Sequence, residues 1–170
     1  MDQPSDSSIV LSIHHRPRLS PALLRELTAI EYQCYPPKTR YNRATITQFL
    51  SWPGSLLVCA RKGSELAGFQ ISNIAIGQLI TLDVAPQYQR QGIGSAILSR
   101  TLEEFRLQNV PAARCEIAVD NAPSILLHEK FGFQAVGIIP EYYENRADAL
   151  VMVLPLTEPF PFSLPHPRSS

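Results

Sequence analysis

The segment Gln89-Arg90-Gln91-Gly92-Ile93-Gly94 is the stretch whose residue types and spacing point most directly to chemistry. It follows a strand candidate that ends at Val84 and opens a helix candidate. The first turn of a helix leaves backbone N–H groups unpaired and carries a partial positive charge. Glycines there let a pyrophosphate come against the main chain. The same glycines also suit a plain strand-to-helix turn, and the spacing leaves both readings standing. Two other phosphate motifs are excluded. A dinucleotide fingerprint needs a third glycine where Ile97 stands. A P-loop needs Gly-Lys-Ser/Thr, and Gly94 is followed by Ser95-Ala96.

Glu116 is the second candidate, because a carboxylate is out of pattern among Cys115, Ile117 and Val119. Strand alternation sends it to the face opposite Cys115 and Ile117. It is then either a proton acceptor or a surface glutamate paired with Arg114 or Arg90. His128 lies in a short helix candidate, where a lone histidine reads as partly buried with a satisfied hydrogen bond. Asn121 precedes Ala122-Pro123 and suits a helix cap, with Ala122 an alternative because a residue before proline avoids the helical region. Two aromatic groups stand out: Tyr32, Tyr35, Pro36 and Tyr41, and the pair Tyr142-Tyr143. Each reads as ordinary packing or as the wall of a site. Cys34, Cys59 and Cys115 are too scattered for a disulfide framework or a zinc site. Cys115 should point into the core, and no histidine partners it, which argues against a covalent carrier.

These residues need a scaffold of alternating elements. Ile9 to His14 is a short strand candidate. Ser20 caps a helix with Pro21 at its first position, and Leu23, Leu24, Leu27 and Ile30 follow at helical spacing. Tyr35-Pro36-Pro37 ends it. A short helix is expected from Ala44 to Leu50, then a turn at Trp52-Pro53-Gly54. Strands are expected over Leu56 to Ala60, Leu66 to Ile74 and Leu79 to Val84, with a hairpin turn at 61–65. A long helix fits Gly92 to Gln108. Cys115 to Val119 reads as a buried strand, and Pro123 to Phe131 as a helix stopped by Gly132, with Phe133 packing back. Strands at Phe133 to Ile139 and Leu150 to Leu154 close a mixed α/β or α+β layer.

Composition bounds the rest. The chain has 170 residues, 45% hydrophobic, with 15 basic and 15 acidic side chains. That suits one domain with a real core. Zero net charge gives no footprint for nucleic acid or an anionic membrane. No apolar run nears the ~20 residues that cross a bilayer. The first residues lack the basic and apolar regions of a secretory signal. A cytoplasmic domain is expected, flanked by a flexible segment 1–8 and a Pro-rich tail 157–170.

The order of these features resembles the GNAT superfamily of acyl-CoA N-acyltransferases. Gln-x-x-Gly-x-Gly after Asp83-Val84-Ala85-Pro86 resembles its motif A, and the likeness runs through Glu116 to Asn121 and His128 to Phe133. Tyr142-Tyr143, Asp148-Ala149 and Met152 look like the branch that acetylates protein N-termini, including the ribosomal-protein alanine acetyltransferases. The resemblance spans roughly 79 to 156.

It implies a domain over 9–156 of the GNAT fold. That fold has a central mixed, mostly antiparallel sheet of six to seven strands with flanking helices, and a splayed strand pair holding acyl-CoA. In such a fold Gln89, Arg90, Gln91, Gly92, Ile93, Gly94 and Ser95 bind the CoA pyrophosphate. The edge Leu82 to Val84 pairs with the pantetheine arm, and Val84 N–H is the natural oxyanion donor. Asn121 contacts the CoA arm, and Ser124 stands where alanine is common. Glu116 matches the branch's base. His128 stands where a tyrosine acid is usual; an imidazolium, with an ordinary pKa of ~6.5, can protonate a thiolate. Tyr142 and Tyr143 would cover an acceptor peptide, with Tyr32, Tyr35, Pro36 and Tyr41 on the opposite wall. The cosubstrate implied is acetyl-CoA, with no metal. The α-amine of a peptide, at pKa ~8, needs only a modest base, unlike lysine at ~10.4. A small amine acceptor and a non-catalytic acyl-CoA sensor are the competing readings.

Overall fold

The structure is a computed structural model and describes residues 8–157. The expected flexible start and Pro-rich tail therefore lie, but for residues 8 and 157, outside the described residues. Seven strands form one sheet: β1 (Ile9–His15), β2 (Ser55–Lys62), β3 (Glu65–Asn73), β4 (Gln78–Val84), β5 (Ala112–Ala118), β6 (Gln134–Ile139) and β7 (Ala149–Pro155). Their order across the sheet is β1-β2-β3-β4-β5-β7-β6. All neighbours are antiparallel except β4 and β5, which run parallel. The helices are α1 (Pro21–Cys34), α2 (Arg43–Ser51), α3 (Ile93–Leu107) and α4 (Ala122–Lys130).

Local chemistry sets the element ends. Ser20 accepts from the Leu23 N–H at 3.1 Å and caps α1, satisfying one of the orphan donors of the first turn. Asn42 does the same for α2 through the Thr45 N–H at 3.0 Å, so that helix starts one residue before the expected Ala44. Residues Gly63-Ser64 make a two-residue hairpin loop between β2 and β3. At the end of α4, Gly132 N–H donates to Glu129 O at 2.9 Å and Phe133 N–H to His128 O at 3.1 Å, the paired bonds of a Schellman stop. Phe133 then packs into the core as expected.

The sheet separates two apolar layers. Leu56, Val58, Leu79, Ile97, Leu102, Phe105 and Phe133 fill the side of α3 and α4. Leu24, Leu27, Ile46, Leu57, Phe69 and Ile71 fill the side of α1 and α2. Cys115 is buried in the first layer, as strand alternation predicted.

The feature that positions the site is the junction of β4 and β5. Only Gln78 and Arg114 are in register there, and Arg114 N–H donates to Gly77 O at 2.8 Å. Beyond that pinch the strands diverge and leave their facing edges open. A register shift between Ile71 and Ser72 puts one extra residue, Ile80, into β4 opposite β3. Such a bulge bends the strand and increases its twist, which turns the end of β4 away from β5. No helix among the described residues is long and apolar enough to cross a membrane.

Candidate active site

Two cavities meet in the gap between β4 and β5. One, of about 430 Å³, lies over the start of α3. The other, of about 280 Å³, reaches to α1 and the β6–β7 loop. Tyr35, Leu82, Asn121 and Ser124 line both, so they form one continuous groove.

The first cavity collects most of the glycine-turn residues. Val84, Gln89, Arg90, Gly92, Ile93, Gly94 and Ser95 line it. Gly92 caps α3 with no side-chain hydrogen bond to the helix's first N–H groups, and a Cβ placed on it would meet nothing within 4 Å. Those N–H groups and that open space are what an approaching pyrophosphate needs. Arg90 sits at φ 59 in the same turn. Gln91 departs from expectation: its Nε2 donates back to Gln87 O at 3.1 Å and its side chain lines neither cavity. Val84 gives its carbonyl to Gln89 Nε2 at 2.9 Å and to the Cys34 thiol at 3.4 Å. Asn121 is the α4 cap, accepting from Ser124 N–H at 3.3 Å, and also lines the groove. Cap and groove roles coexist.

The second cavity brings Glu116, His128, Tyr35, Pro36, Tyr41 and Tyr143 together. Glu116 holds Arg114 Nε at 2.6 Å and Gln78 Nε2 at 2.7 Å. The expected pairing with Arg114 is present, and Glu116 nonetheless lines the cavity. A carboxylate offers about four lone-pair positions, so two remain after these bonds. His128 is 3% exposed, edge-on to Phe133, with Nδ1 2.8 Å from Ser124 O. A carbonyl only accepts, so Nδ1 carries the hydrogen. Burial holds the imidazole pKa below its ordinary value. Desolvation disfavours the charged ring, so the resting ring is favoured as the neutral imidazole with no hydrogen on Nε2, and the imidazolium expected to protonate a thiolate has to form by taking up a proton there.

Two tyrosines fall outside the cavity. Tyr32 is exposed and lies under the Arg40 guanidinium, 3.8 Å from its ring centre. Tyr142 is exposed and packs edge-on against Tyr143, whose hydroxyl donates to Glu116 O at 3.3 Å. The thiols offer no nucleophile, since burial pushes Cys34 up to about 12 and Cys115 higher still.

Sequence reasoning missed the acidic floor of this cavity. Glu31 on α1, 1% exposed, lines it beside Thr81 and Gln70. Its Oε1 accepts from Tyr41 N–H at 2.7 Å. Its carboxyl neighbours that of Asp83 on β4, and burial, with that neighbour added, raises its proton affinity. The signal was present in the helical spacing, for Leu24, Leu27 and Glu31 share the buried stripe of α1.

The groove, the splayed strands and the order of elements recur in known proteins. The Acetyltransferase (GNAT) family matches residues 22–133. The chain belongs to that family. As a GNAT protein it is an acyl-CoA-dependent N-acetyltransferase, with acetyl-CoA as its cosubstrate. It is 33% identical over 101 residues to the Escherichia coli [ribosomal protein bS18]-alanine N-acetyltransferase, covering 56% of this chain and 68% of that one. It is 35% identical over 81 residues to an N-alpha-acetyltransferase of Sulfurisphaera tokodaii, covering 47% and 48%. The crystal structure of the E. coli ribosomal-protein-S18-alanine N-acetyltransferase superposes with a TM-score of 0.73 at 25% identity, over 87% of this chain and 95% of that one. Ard1 of Thermoplasma volcanium shares the fold with a TM-score of 0.75 at 24% identity, over 87% and 99%.

Proposed function

We propose that the chain acetylates the α-amine of a protein or peptide N-terminus by direct attack on acetyl-CoA. The observation that carries this reading is the continuous groove. It starts at the α3 N-terminus, passes the β4–β5 gap, and ends in a cavity walled by Tyr35, Pro36, Tyr41 and Tyr143. Aromatic walls with hydroxyl and main-chain hydrogen-bond groups suit an extended peptide end. The bS18-alanine and N-alpha specificities of the two relatives support the same acceptor.

In this reading the Gln89–Ser95 turn holds the pyrophosphate through backbone N–H groups and Arg90. The pantetheine arm lies along Leu82 to Val84, with Asn121 and Ser124 across from it. The thioester carbonyl sits in the gap, and Val84 N–H stabilises its developing negative charge. Glu116 reaches the amine with its remaining lone pairs. His128 Nε2 lies on the thioester side, where it takes up a proton and passes it to the departing sulfur. In this reading Glu116 and His128 share the acid–base work.

The small-amine alternative needs free carboxylates near the Tyr142-Tyr143 loop. Two of the three near it are engaged within the loop: Asp148 accepts from Glu141 N–H at 2.9 Å, and Glu141 pairs with Arg146 at 2.5 Å; Glu144 is the third. The test is thiol release from acetyl-CoA with peptides of varied N-termini beside free polyamines, lysine and amino acids. Peptide-dependent release that falls in Glu116→Gln and His128→Phe supports the reading; release with free amines alone refutes it.

A further inference from the structure

An α-ammonium loses two protons on becoming an amide. As the C–N bond forms and the C–S bond breaks, the sulfur takes one proton and the other goes to solvent. A single carboxylate cannot hold both at once, and Glu116 is already engaged by Arg114 and Gln78. The opposite wall of the same cavity holds a second acid.

Glu31 and Asp83 are each 1% exposed. Glu31 Oε1 is used by Tyr41 N–H and Asp83 Oδ1 by the Thr81 hydroxyl at 2.8 Å. Glu31 Oε2 and Asp83 Oδ2 receive no donor among the described residues, while the two carboxyl groups are close neighbours. Two buried acceptor-only carboxylates side by side repel each other unless a proton lies between them, which also satisfies the two unpartnered oxygens. The pair then carries a single buried negative charge. A separate observation also points to a polar occupant: Gln70 is fully buried, lines the same cavity, and has both amide atoms unpartnered.

We propose that the Glu31–Asp83 pair is the second proton acceptor of the reaction, taking one of the two protons that leave the acceptor nitrogen. This rests on the reading of the chain as an N-terminal acetyltransferase. The amine N–H bond breaks toward Glu31, which lines the cavity, while the shared proton moves onto Asp83. The pair becomes neutral and returns the proton to solvent after the product leaves. Burial raises the proton affinity of both groups, since desolvation disfavours charge. The groups facing the pair are Cys34, Tyr35 and Tyr41 from α1 and its following loop, and Thr81 from β4. Across the cavity stand Glu116 with Arg114, Tyr143 and His128. The Cys34 thiol and the Tyr35, Tyr41 and Tyr143 hydroxyls are held protonated by burial.

The decisive variant is Glu31→Gln in the full chain. Glutamine keeps both bonds, accepting from Tyr41 N–H and donating to Asp83, but cannot pass a proton. Its melting temperature should match wild type. With an Ala-initiated peptide, kcat at pH 6.5 should fall about 100-fold, with KM for acetyl-CoA unchanged. The deficit should shrink below about 10-fold by pH 8.5, where the α-amine arrives largely neutral and has one proton fewer to lose. Asp83→Asn leaves an ionisable Glu31 on the cavity wall and should stay within about 10-fold of wild type at pH 7.5. A Glu31→Gln loss that is below 3-fold, or equal at every pH, overturns the proposal. So does equal damage in both variants with lowered melting. If wild type uses free amines and no peptide, the acceptor reading fails instead, and the Glu31→Gln comparison is made on that amine.

Discussion

Replacing Gly77 by alanine tests whether the β4–β5 pinch sets the geometry of the gap. Gly77 has φ +66, and a Cβ there would lie 2.2 Å from Ala112 O and 3.2 Å from Val110 Cγ1. The left-handed conformation costs a non-glycine residue about 1 kcal/mol. The overlap is with backbone carbonyl, which has no rotamer to escape through. A van der Waals separation requires β5 to retreat by roughly 1 Å, at a cost of order 1–3 kcal/mol typical of overpacking. That retreat stretches the 2.8 Å bond from Arg114 N–H to Gly77 O, which contributes about 1 kcal/mol. Together these effects predict a loss of about 3–5 kcal/mol, or a melting temperature lower by roughly 10 °C for a domain of this size. The functional effect is larger than stability alone predicts, because β5 carries Glu116. A displacement near 1 Å at the reacting groups lowers kcat about 100-fold, measured where urea titration shows the variant still folded. A loss below 1 kcal/mol with normal kcat would refute the pinch as the determinant of the gap.

Three further outcomes are expected. Glu116→Gln keeps one acceptor oxygen, for Arg114 or for Gln78, and sets an N–H donor against the other. It should therefore melt a few degrees below wild type, while kcat for peptide transfer, measured well below that melting temperature, falls about 100-fold or more. Arg90→Ala should raise KM for acetyl-CoA about fivefold at low salt, little at 0.5 M salt, and leave kcat alone, because it removes a screened charge from the pyrophosphate groove. His128→Phe should fold, with thiol release slowed about 100-fold. The folded His128 binds its proton less tightly than the unfolded chain, so wild-type stability declines as pH falls below ~6.5. Urea titrations at pH 5.5 and 7.5 should show a flatter dependence in His128→Phe.

Much of the fold was legible because local chemistry and periodicity agree. Ser20-Pro21 capped α1 where the pattern placed it, and Gly132 stopped α4 with Phe133 folded back. The strands were found within a few residues, since their apolar runs are bounded by turn residues. The splay of β4 from β5 was reachable only through family resemblance. Its causes are the extra residue at Ile80 and the close approach of Gly77 to Ala112, and both depend on partners distant in the chain.

The site divides along the same line. The pyrophosphate turn is contiguous, so one segment states most of it, and only the orientation of Gln91 needed three dimensions. The aromatic walls are each contiguous too, but adjacent residues on a loop or helix point different ways. That is why Tyr35 and Tyr143 enter the cavity while Tyr32 and Tyr142 face outward. The acid pair was the least legible. Asp83 alternates with Thr81 on one face of β4, and Glu31 takes a core position on α1. Each alone reads as a misplaced charge. Burying either one alone as an ion would be costly; burying both around one proton leaves a single charge that also accepts from the Tyr41 N–H and the Thr81 hydroxyl. The two out-of-place residues explain each other, and only the packing of α1 on β4 makes them a pair.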